Sequence, residues 1–174
     1  DMIEDMTPYF EQYASDLTRQ CYSEEGSSVL DSATFNGKLM AIPNLDASIE
    51  SAQFLWIRND WLKKLGLQAP TTMQELLAVS NAFATKDPDG NGVNDTYGLA
   101  ITKGLYAGCM GVEGFFAGYH AYPNYWMKTA DGKLAYGSVQ PETKVALAAL
   151  AEMYKNGEID QEFGVKDGSK VAET

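Results

Sequence analysis

Five positions at alternating spacing, Asp87, Asp89, Asn91, Val93 and Asp95, place hard oxygen atoms in one short loop, Asp-Pro-Asp-Gly-Asn-Gly-Val-Asn-Asp-Thr-Tyr-Gly at 87–98. Ca²⁺ takes about six to eight such oxygens, and positions 1, 3, 5, 7 and 9 of a loop like this can wrap one ion, the seventh through its backbone carbonyl. Gly92 stands at position 6, where the chain must turn sharply and a residue without a Cβ accepts a positive φ. Position 12, a bidentate Glu in an EF-hand, is Gly98, so a water or a neighbouring carboxylate would have to complete the shell. The same residue types also fill plain solvated turns for backbone reasons. Three carboxylates at alternating positions repel one another without a cation, which favours calcium. With no open Lewis-acid role evident, such an ion is expected to be structural and to pin the loop to the helix before it.

Other chemistry-bearing groups are sparser. His120 is the single histidine, a poor basis for a triad or a catalytic metal site, and it is expected to be packed or on the surface. Cys21 and Cys109 lie far apart without Cys-x-x-Cys or Cys/His spacing, so they signal neither zinc nor a redox motif; one disulfide and two buried free thiols both remain open. Glu158 with Asp160, or Asp131 with Glu113, could in principle pair as a glycosidase acid and base, but nothing in the sequence fixes their separation.

The elements that position these groups can be read coarsely. Thr7-Pro8 opens a first helix, with Thr as a cap and Pro at the first helical position, and Phe10, Tyr13, Ala14 and Leu17 recur as one buried face. Asn36-Gly37 is a tight-turn dipeptide inside a hairpin ending at Pro43. Residues 53–57, Gln-Phe-Leu-Trp-Ile, read as a short strand, followed by a helix capped at Asn59 or Asp60 and stopped by Gly66. A longer helix starts at the capping box Thr72-x-x-Glu75 and carries Leu76, Leu77, Val79, Ser80 and Phe83 to the oxygen-rich loop. Tyr97 to Ile101 reads as a strand, Gly104 to Gly118 as a Gly-rich apolar stretch, and 126–136 as a second hairpin about Ala130-Asp131-Gly132. Pro141 to Asn156 is a helix with apolar Val145, Leu147, Ala148, Leu150, Ala151 and Tyr154, stopped by Gly157.

Composition bounds the function classes. The 174 residues are 45% hydrophobic and 21% charged, the composition of a globular chain with room for one full core or two small lobes. The formal net charge of −11 argues against nucleic acid and anionic membrane surfaces as partners, since both need a basic footprint. No apolar run approaches a membrane span, and no secretory leader opens the chain. It begins at Asp1-Met2-Ile3 and stops at Ala172-Glu173-Thr174 as though inside a longer sequence.

The order of motifs resembles the extracellular solute-binding proteins of bacterial ABC importers, in particular the large carbohydrate-type (family 1) lipoproteins. The similar stretches are Asn36-Gly37-Lys38-Leu39-Met40-Ala41-Ile42-Pro43-Asn44, Ile57-Arg58-Asn59-Asp60-Trp61-Leu62-Lys63-Lys64-Leu65-Gly66, Pro70-Thr71-Thr72-Met73-Gln74-Glu75-Leu76 and Lys86-Asp87-Pro88-Asp89-Gly90-Asn91-Gly92. Asp131-Gly132-Lys133-Leu134 and Tyr154-Lys155-Asn156-Gly157-Glu158-Ile159-Asp160 extend the resemblance over nearly the whole chain. It implies an α/β, periplasmic-binding-protein-like two-lobed clamp, of which this chain is a helix-rich partial segment, mainly one lobe. Residues 1–52 would be the end of a first-lobe segment and the crossover, and 53–174 a second-lobe segment with the calcium-like loop. The resemblance further implies binding of a solute, an oligosaccharide above all, for delivery to an ABC permease, with no catalysis. The longer parent would be extracellular and held at the cell surface by a lipid anchor absent from this chain. In relatives that bind acidic oligosaccharides a loop like 87–95 holds a structural calcium away from the ligand, and this carries over to Asp87, Asp89, Asn91 and Asp95; Thr96 stands where a further acidic ligand can occur.

A sugar site pairs aromatic platforms, which stack on flat C–H faces, with a few planar hydrogen-bonding groups. Tyr119, Tyr122, Tyr125 and Trp126 fall within eight residues and are the candidate cleft wall, with core packing as the alternative. Trp56 and Arg58 would share one face of a regular strand and form a second candidate contact, although Arg58 could equally pair with Asp60; Trp61 is expected in the core. Two other functions fit parts of the pattern: a calcium-stabilised adhesion or scaffold module, which usually duplicates the loop seen once here, and a carbohydrate-active enzyme.

Overall fold

The computed structural model describes residues 3–24, 28–45, 52–106 and 109–173. The chain divides into two compact units, 1–52 and 53–174.

In the first unit, α1 (Thr7–Tyr13) starts one residue earlier than a Thr7 cap would allow. Thr7 is already helical, its N–H donating to Asp5 Oδ1 (3.0 Å) and its hydroxyl accepting from the Leu39 N–H (2.9 Å). Nor does one face continue through Leu17. Ala14 is extended, and Ser15 caps a new helix, α2 (Asp16–Ser23), by accepting from the Thr18 N–H at 3.1 Å. The local cap wins over the apolar spacing. Tyr13 and Leu17 are consequently exposed, whereas Phe10 packs edge-on against Tyr22 at 5.6 Å. After α3 (Ser28–Asp31), β1 (Thr34–Phe35) and β2 (Lys38–Leu39) pair antiparallel across Asn36 (φ 53°) and Gly37 (φ 78°). Two consecutive positive φ angles make the turn whose twist suits a hairpin, as Asn-Gly predicts.

The second unit is built on helices. Residues 53–57 form no strand: they have no strand to pair with among the described residues, and Phe54, Leu55 and Trp56 are all exposed. The helix α4 (Asn59–Leu65) follows, its flanking residue being Arg58 rather than Asn59 or Asp60, and Gly66 (φ 67°) ends it as expected. The helix α5 (Met73–Thr85) carries the full capping box, with the Glu75 N–H on the Thr72 hydroxyl and the Thr72 N–H on the Glu75 carboxylate, both 3.2 Å. Residues 97–101 also differ from expectation. Instead of pairing as a strand, the Gly98 and Leu99 N–H groups both donate to the Glu158 carbonyl (2.8 and 3.0 Å). Gly98 lies so close to α5 that a Cβ there would stand 2.3 Å from the Ser80 carbonyl oxygen, so this backbone is laid on a helix and not on a sheet edge.

The remaining elements are α6 (Glu113–Gly118), the antiparallel pair β3 (Trp126–Lys128) and β4 (Leu134–Tyr136), a 3₁₀ turn at Gly137–Val139, α7 (Pro141–Lys155), a second 3₁₀ turn at Phe163–Val165 and α8 (Gly168–Ala172). Phe115, Phe116, Val112, Ile101, Ala146, Met153 and Ile159 form the main core, with Leu76, Leu77 and Leu150 against it. A second cluster joins Leu62 to Val79 and Phe83, with the half-buried Trp61 edge-on to Phe83 at 5.2 Å. The buried face of α7 is Thr143, Ala146 and Met153, while Val145 and Leu147 point to solvent. Four alanines in that helix leave apolar residues on every side, so periodicity alone does not mark the face it buries.

Among the described residues no helix is long and apolar enough to cross a membrane. Neither cysteine is in a disulfide: Cys21 is a half-buried thiol and Cys109 an exposed one.

Candidate functional site

The oxygen-rich loop begins where α5 ends. Asp87 adopts φ 46°, and Gly90 and Gly92 both adopt φ 80°, which folds three backbone N–H groups back onto one carboxylate. Asp87 Oδ1 accepts from Gly90 (2.9 Å) and Asn91 (3.1 Å), and Oδ2 accepts from Gly92 (3.0 Å). The hydrogen bond shared with Asp89, together with these N–H donors, holds the Asp87 carboxyl below the usual carboxylate range. Asn91 is the hub of the loop. Its amide donates to Asp89 (2.8 Å) and to both oxygens of Asp95 (3.1 Å each), while its carbonyl oxygen accepts from the Val93 N–H at 2.7 Å.

Both ends of the loop are tied to protein. Pro88 is fully buried, and the Thr96 hydroxyl donates to the Phe83 carbonyl at 2.7 Å inside the structure. Thr96 thus ties the loop to α5 through its hydroxyl. The helix α4 supplies positive charge: the Lys64 ammonium stands 2.5 Å from where a Gly90 Cβ would be. A shallow pocket of about 300 Å³ opens beside the loop, lined by Thr85, Asp87, Gly92, Val93 and Asn94.

The donor chemistry, three carboxylates, an amide and a backbone carbonyl, suits a hard cation. The arrangement is internally satisfied, however. Among the described residues no three His, Cys, Asp or Glu side chains converge as a metal group. The physical reason is visible in the bonds: Asn91 amide hydrogens sit between Asp89 and Asp95, and backbone N–H groups take both oxygens of Asp87.

The aromatic candidates separate into two groups. Tyr125 and Trp126 are 66% and 69% exposed, and Tyr122 is exposed beside them. Trp126 faces Tyr136 across the hairpin register, with ring centroids 5.5 Å apart and planes at 49°. The corner is fixed from beneath by Gly137, whose N–H donates to the Tyr125 carbonyl (2.8 Å), and by Ser138, whose hydroxyl accepts from the Asn124 N–H (2.8 Å). Tyr119 belongs to the other group. It follows α6, is half-buried, and packs on Phe115 at 5.4 Å, on the core side of the segment.

Trp56 is 91% exposed on the segment that precedes α4. Arg58, without a regular strand to place it beside Trp56, forks onto Asp60 (Nε 2.9 Å, Nη2 2.6 Å) and lies 4.4 Å from the Trp61 ring. That bidentate bond holds the Asp60 carboxyl down at about 2. Among the described residues no hydrogen bond, ion pair or ring contact joins Trp56 or Arg58 to the hairpin corner.

Tyr136 joins the candidates, and the sequence carries a signal for it: the turn about Ala130-Asp131-Gly132 sets the register that puts it opposite Trp126. Of the four carboxylates considered for acid–base work, Glu158, Asp160 and Asp131 are otherwise engaged. Glu158 is buried, 4% exposed, and accepts from Ser80 (2.7 Å) and Asn81 (3.3 Å), Asp160 pairs with Lys166, and Asp131 pairs with Lys133 at 2.8 Å. His120 is exposed.

No family model matches the chain. In sequence it is 30% identical over 166 residues to lipoprotein LipO of Bacillus subtilis, covering 95% of this chain and 31% of that protein. It is 33% identical over 123 residues to the polygalacturonan/rhamnogalacturonan-binding protein YtcQ of the same organism, covering 71% of this chain and 24% of the relative. In structure it superposes on the Streptococcus pneumoniae ABC-transporter substrate binding protein FusA, solved as an EF-hand mutant in complex with fructo-nystose, with a TM-score of 0.72 and 25% identity over 97% of this chain and 35% of that one. The chain therefore spans no more than about a third of the length of these relatives. YtcQ and FusA are named as binding proteins, and the likeness to LipO and FusA runs over nearly all of this helix-rich segment. By sequence and by fold, the chain belongs among the substrate-binding proteins of bacterial ABC transporters, matching about a third of their length.

Proposed function

We propose that the protein to which this chain belongs captures an oligosaccharide outside the cell and hands it to an ABC permease, without chemical turnover, and is held at the cell surface by a lipid anchor. The observation that carries this reading is the solvent-facing corner of Tyr122, Tyr125 and Trp126, with the half-buried Tyr136 ring against Trp126, on a backbone fixed by Gly137 and Ser138. Exposed aromatic rings lose little conformational entropy on binding and match the C–H faces of sugars. Support comes also from the relatives, named for polygalacturonan and rhamnogalacturonan in one case and solved with fructo-nystose in another. Capture by such proteins is a shift between open and closed states, limited by how much better the ligand binds the closed one. Trp56 is a further candidate contact, whereas Arg58 serves α4 through Asp60.

The test is titration calorimetry of the full-length protein against neutral and acidic oligosaccharides, with Trp126→Ala beside the native protein. We expect saturable binding without product, and roughly a tenfold loss of affinity in the variant, the equivalent of about 1.4 kcal/mol for a lost ring platform. Its melting temperature should stay within a few degrees, because the ring is largely in solvent. Turnover of the sugar, or a large loss of stability with unchanged affinity, would remove the proposed role.

The loop at 87–95 is proposed as a calcium clip, with Asp87, Asp89, Asn91, Asp95 and the Val93 carbonyl as its ligands. It rests on the donor set and on the EF-hand named in the FusA structure. The ion would supply charge neutralisation to three crowded carboxylates, stiffening the junction between α5 and residues 96–101. At a calcium concentration about 100 times the dissociation constant, stability should rise by about 2.7 kcal/mol. Equal melting temperatures in calcium and in excess chelator would count against the clip.

A further inference from the structure

Tyr122, Pro123, Asn124 and Tyr125 form the turn that displays the aromatic corner. The Tyr125 N–H closes it on the Tyr122 carbonyl at 3.3 Å, and Asn124, its third residue, adopts φ 70°. A turn with Pro second and a positive φ third is best served by Gly at the third position, with Asn as the tolerated side chain. The backbone is also held from outside, since the Asn124 N–H donates to the Ser138 hydroxyl at 2.8 Å. Non-glycine residues in the left-handed region persist where their surroundings fix them, and they collect at binding sites. The turn alone therefore does not explain why an amide side chain stands here.

That side chain is exposed and in contact with the ring pair. Asn124 Oδ1 accepts from the Tyr136 hydroxyl at 3.4 Å, and the Tyr136 ring lies 5.5 Å from Trp126, directly opposite it in the hairpin register. An amide offers two donors and an oxygen with two lone pairs. The Tyr136 bond, at the long end for a hydrogen bond, uses one lone pair, and no hydrogen bond among the described residues uses Nδ2. The corner thus joins exposed rings to a planar polar group whose donors are open to solvent.

We propose that Asn124 is the polar reader of the sugar site, Nδ2 donating to one hydroxyl and Oδ1 accepting from the adjacent hydroxyl of a sugar ring stacked on Trp126. This rests on the oligosaccharide reading given above. A stacked sugar turns its C–H face to the aromatic ring and its hydroxyls outward along the rim, where the amide stands. Adjacent hydroxyls each donate and accept, and a carboxamide sets a donor and an acceptor side by side in one plane. A carboxylate could only accept from such a pair, and an ammonium could only donate.

The experiment separates reading a ligand from holding a turn. Asn124→Gly removes the amide and suits the positive φ better, while Asn124→Asp keeps the shape and the acceptor for Tyr136 but loses both donors. The full-length native protein, both variants and Trp126→Ala are titrated calorimetrically with nystose and with oligogalacturonate, each of which has adjacent free hydroxyls on its linked units. For whichever sugar the native protein binds, both Asn124 variants should lose about tenfold in affinity or more. Their melting temperatures should stay within a few degrees, with Asn124→Gly equal to or above the native value. Native affinity in either Asn124 variant, with a loss in Trp126→Ala, overturns the role of Asn124 and leaves the oligosaccharide reading standing. A large drop in melting temperature in both variants assigns Asn124 to the fold and overturns its role as well. Binding of neither sugar by the native protein overturns both readings.

Discussion

Phe116→Ala should lower the stability of the second unit by about 3–5 kcal/mol, the range for deleting a buried aromatic ring whose site cannot collapse. Phe116 is 1% exposed and sits in the cluster of Ile101, Val112, Phe115, Ala146, Met153 and Ile159, so the void left behind would be lined by residues from four separate segments. Local structure cannot compensate. The helix α6 has six residues, too few to persist without tertiary packing, and the Phe116 carbonyl also receives the N–H groups of Tyr119 (2.9 Å) and Ala121 (3.0 Å), which start the aromatic segment. The midpoint of a urea titration should fall accordingly, with near-ultraviolet circular dichroism lost in step. A loss below about 1 kcal/mol would mean that the core is not centred on this ring.

What the sequence made legible was local. Asn36-Gly37, the Thr72–Glu75 box, the left-handed stops at Gly66 and Gly157 and the second hairpin each depend on four or five consecutive residues, and each stands where those residues predict it. The two strands expected at 53–57 and 97–101 are absent because a strand needs a neighbour, and apolar content does not say whether one is supplied. At 98–99 the backbone finds the Glu158 carbonyl instead, a partner about sixty residues away that no local pattern marks. Of the site, Tyr125 and Trp126 were visible as aromatic density and Tyr136 was recoverable from hairpin register.

The same non-local logic sets the second large effect, at Gly137. Its backbone needs no positive φ; what it needs is room. A Cβ would lie 1.9 Å from the Tyr122 carbonyl oxygen and 2.7 Å from the carbon of that carbonyl, both backbone atoms that cannot swing aside as a side chain would. The position is also bonded on both sides, its N–H to the Tyr125 carbonyl and its carbonyl from the Thr143 hydroxyl at 2.7 Å, so the clash cannot be relieved without breaking the link between the hairpin and α7. Gly137→Ala should therefore cost about 3 kcal/mol or more, at or beyond the upper end for overpacking. Its effect on binding should exceed what the lost stability explains, because the atoms that must move carry Tyr122, Tyr125 and the start of β3 with Trp126. Measured well below the melting temperature of the variant, where it is folded, sugar affinity should fall at least as far as in Trp126→Ala. Native affinity in a folded Gly137→Ala protein would show that the placement of this corner does not govern recognition, and the ligand surface would then have to lie elsewhere.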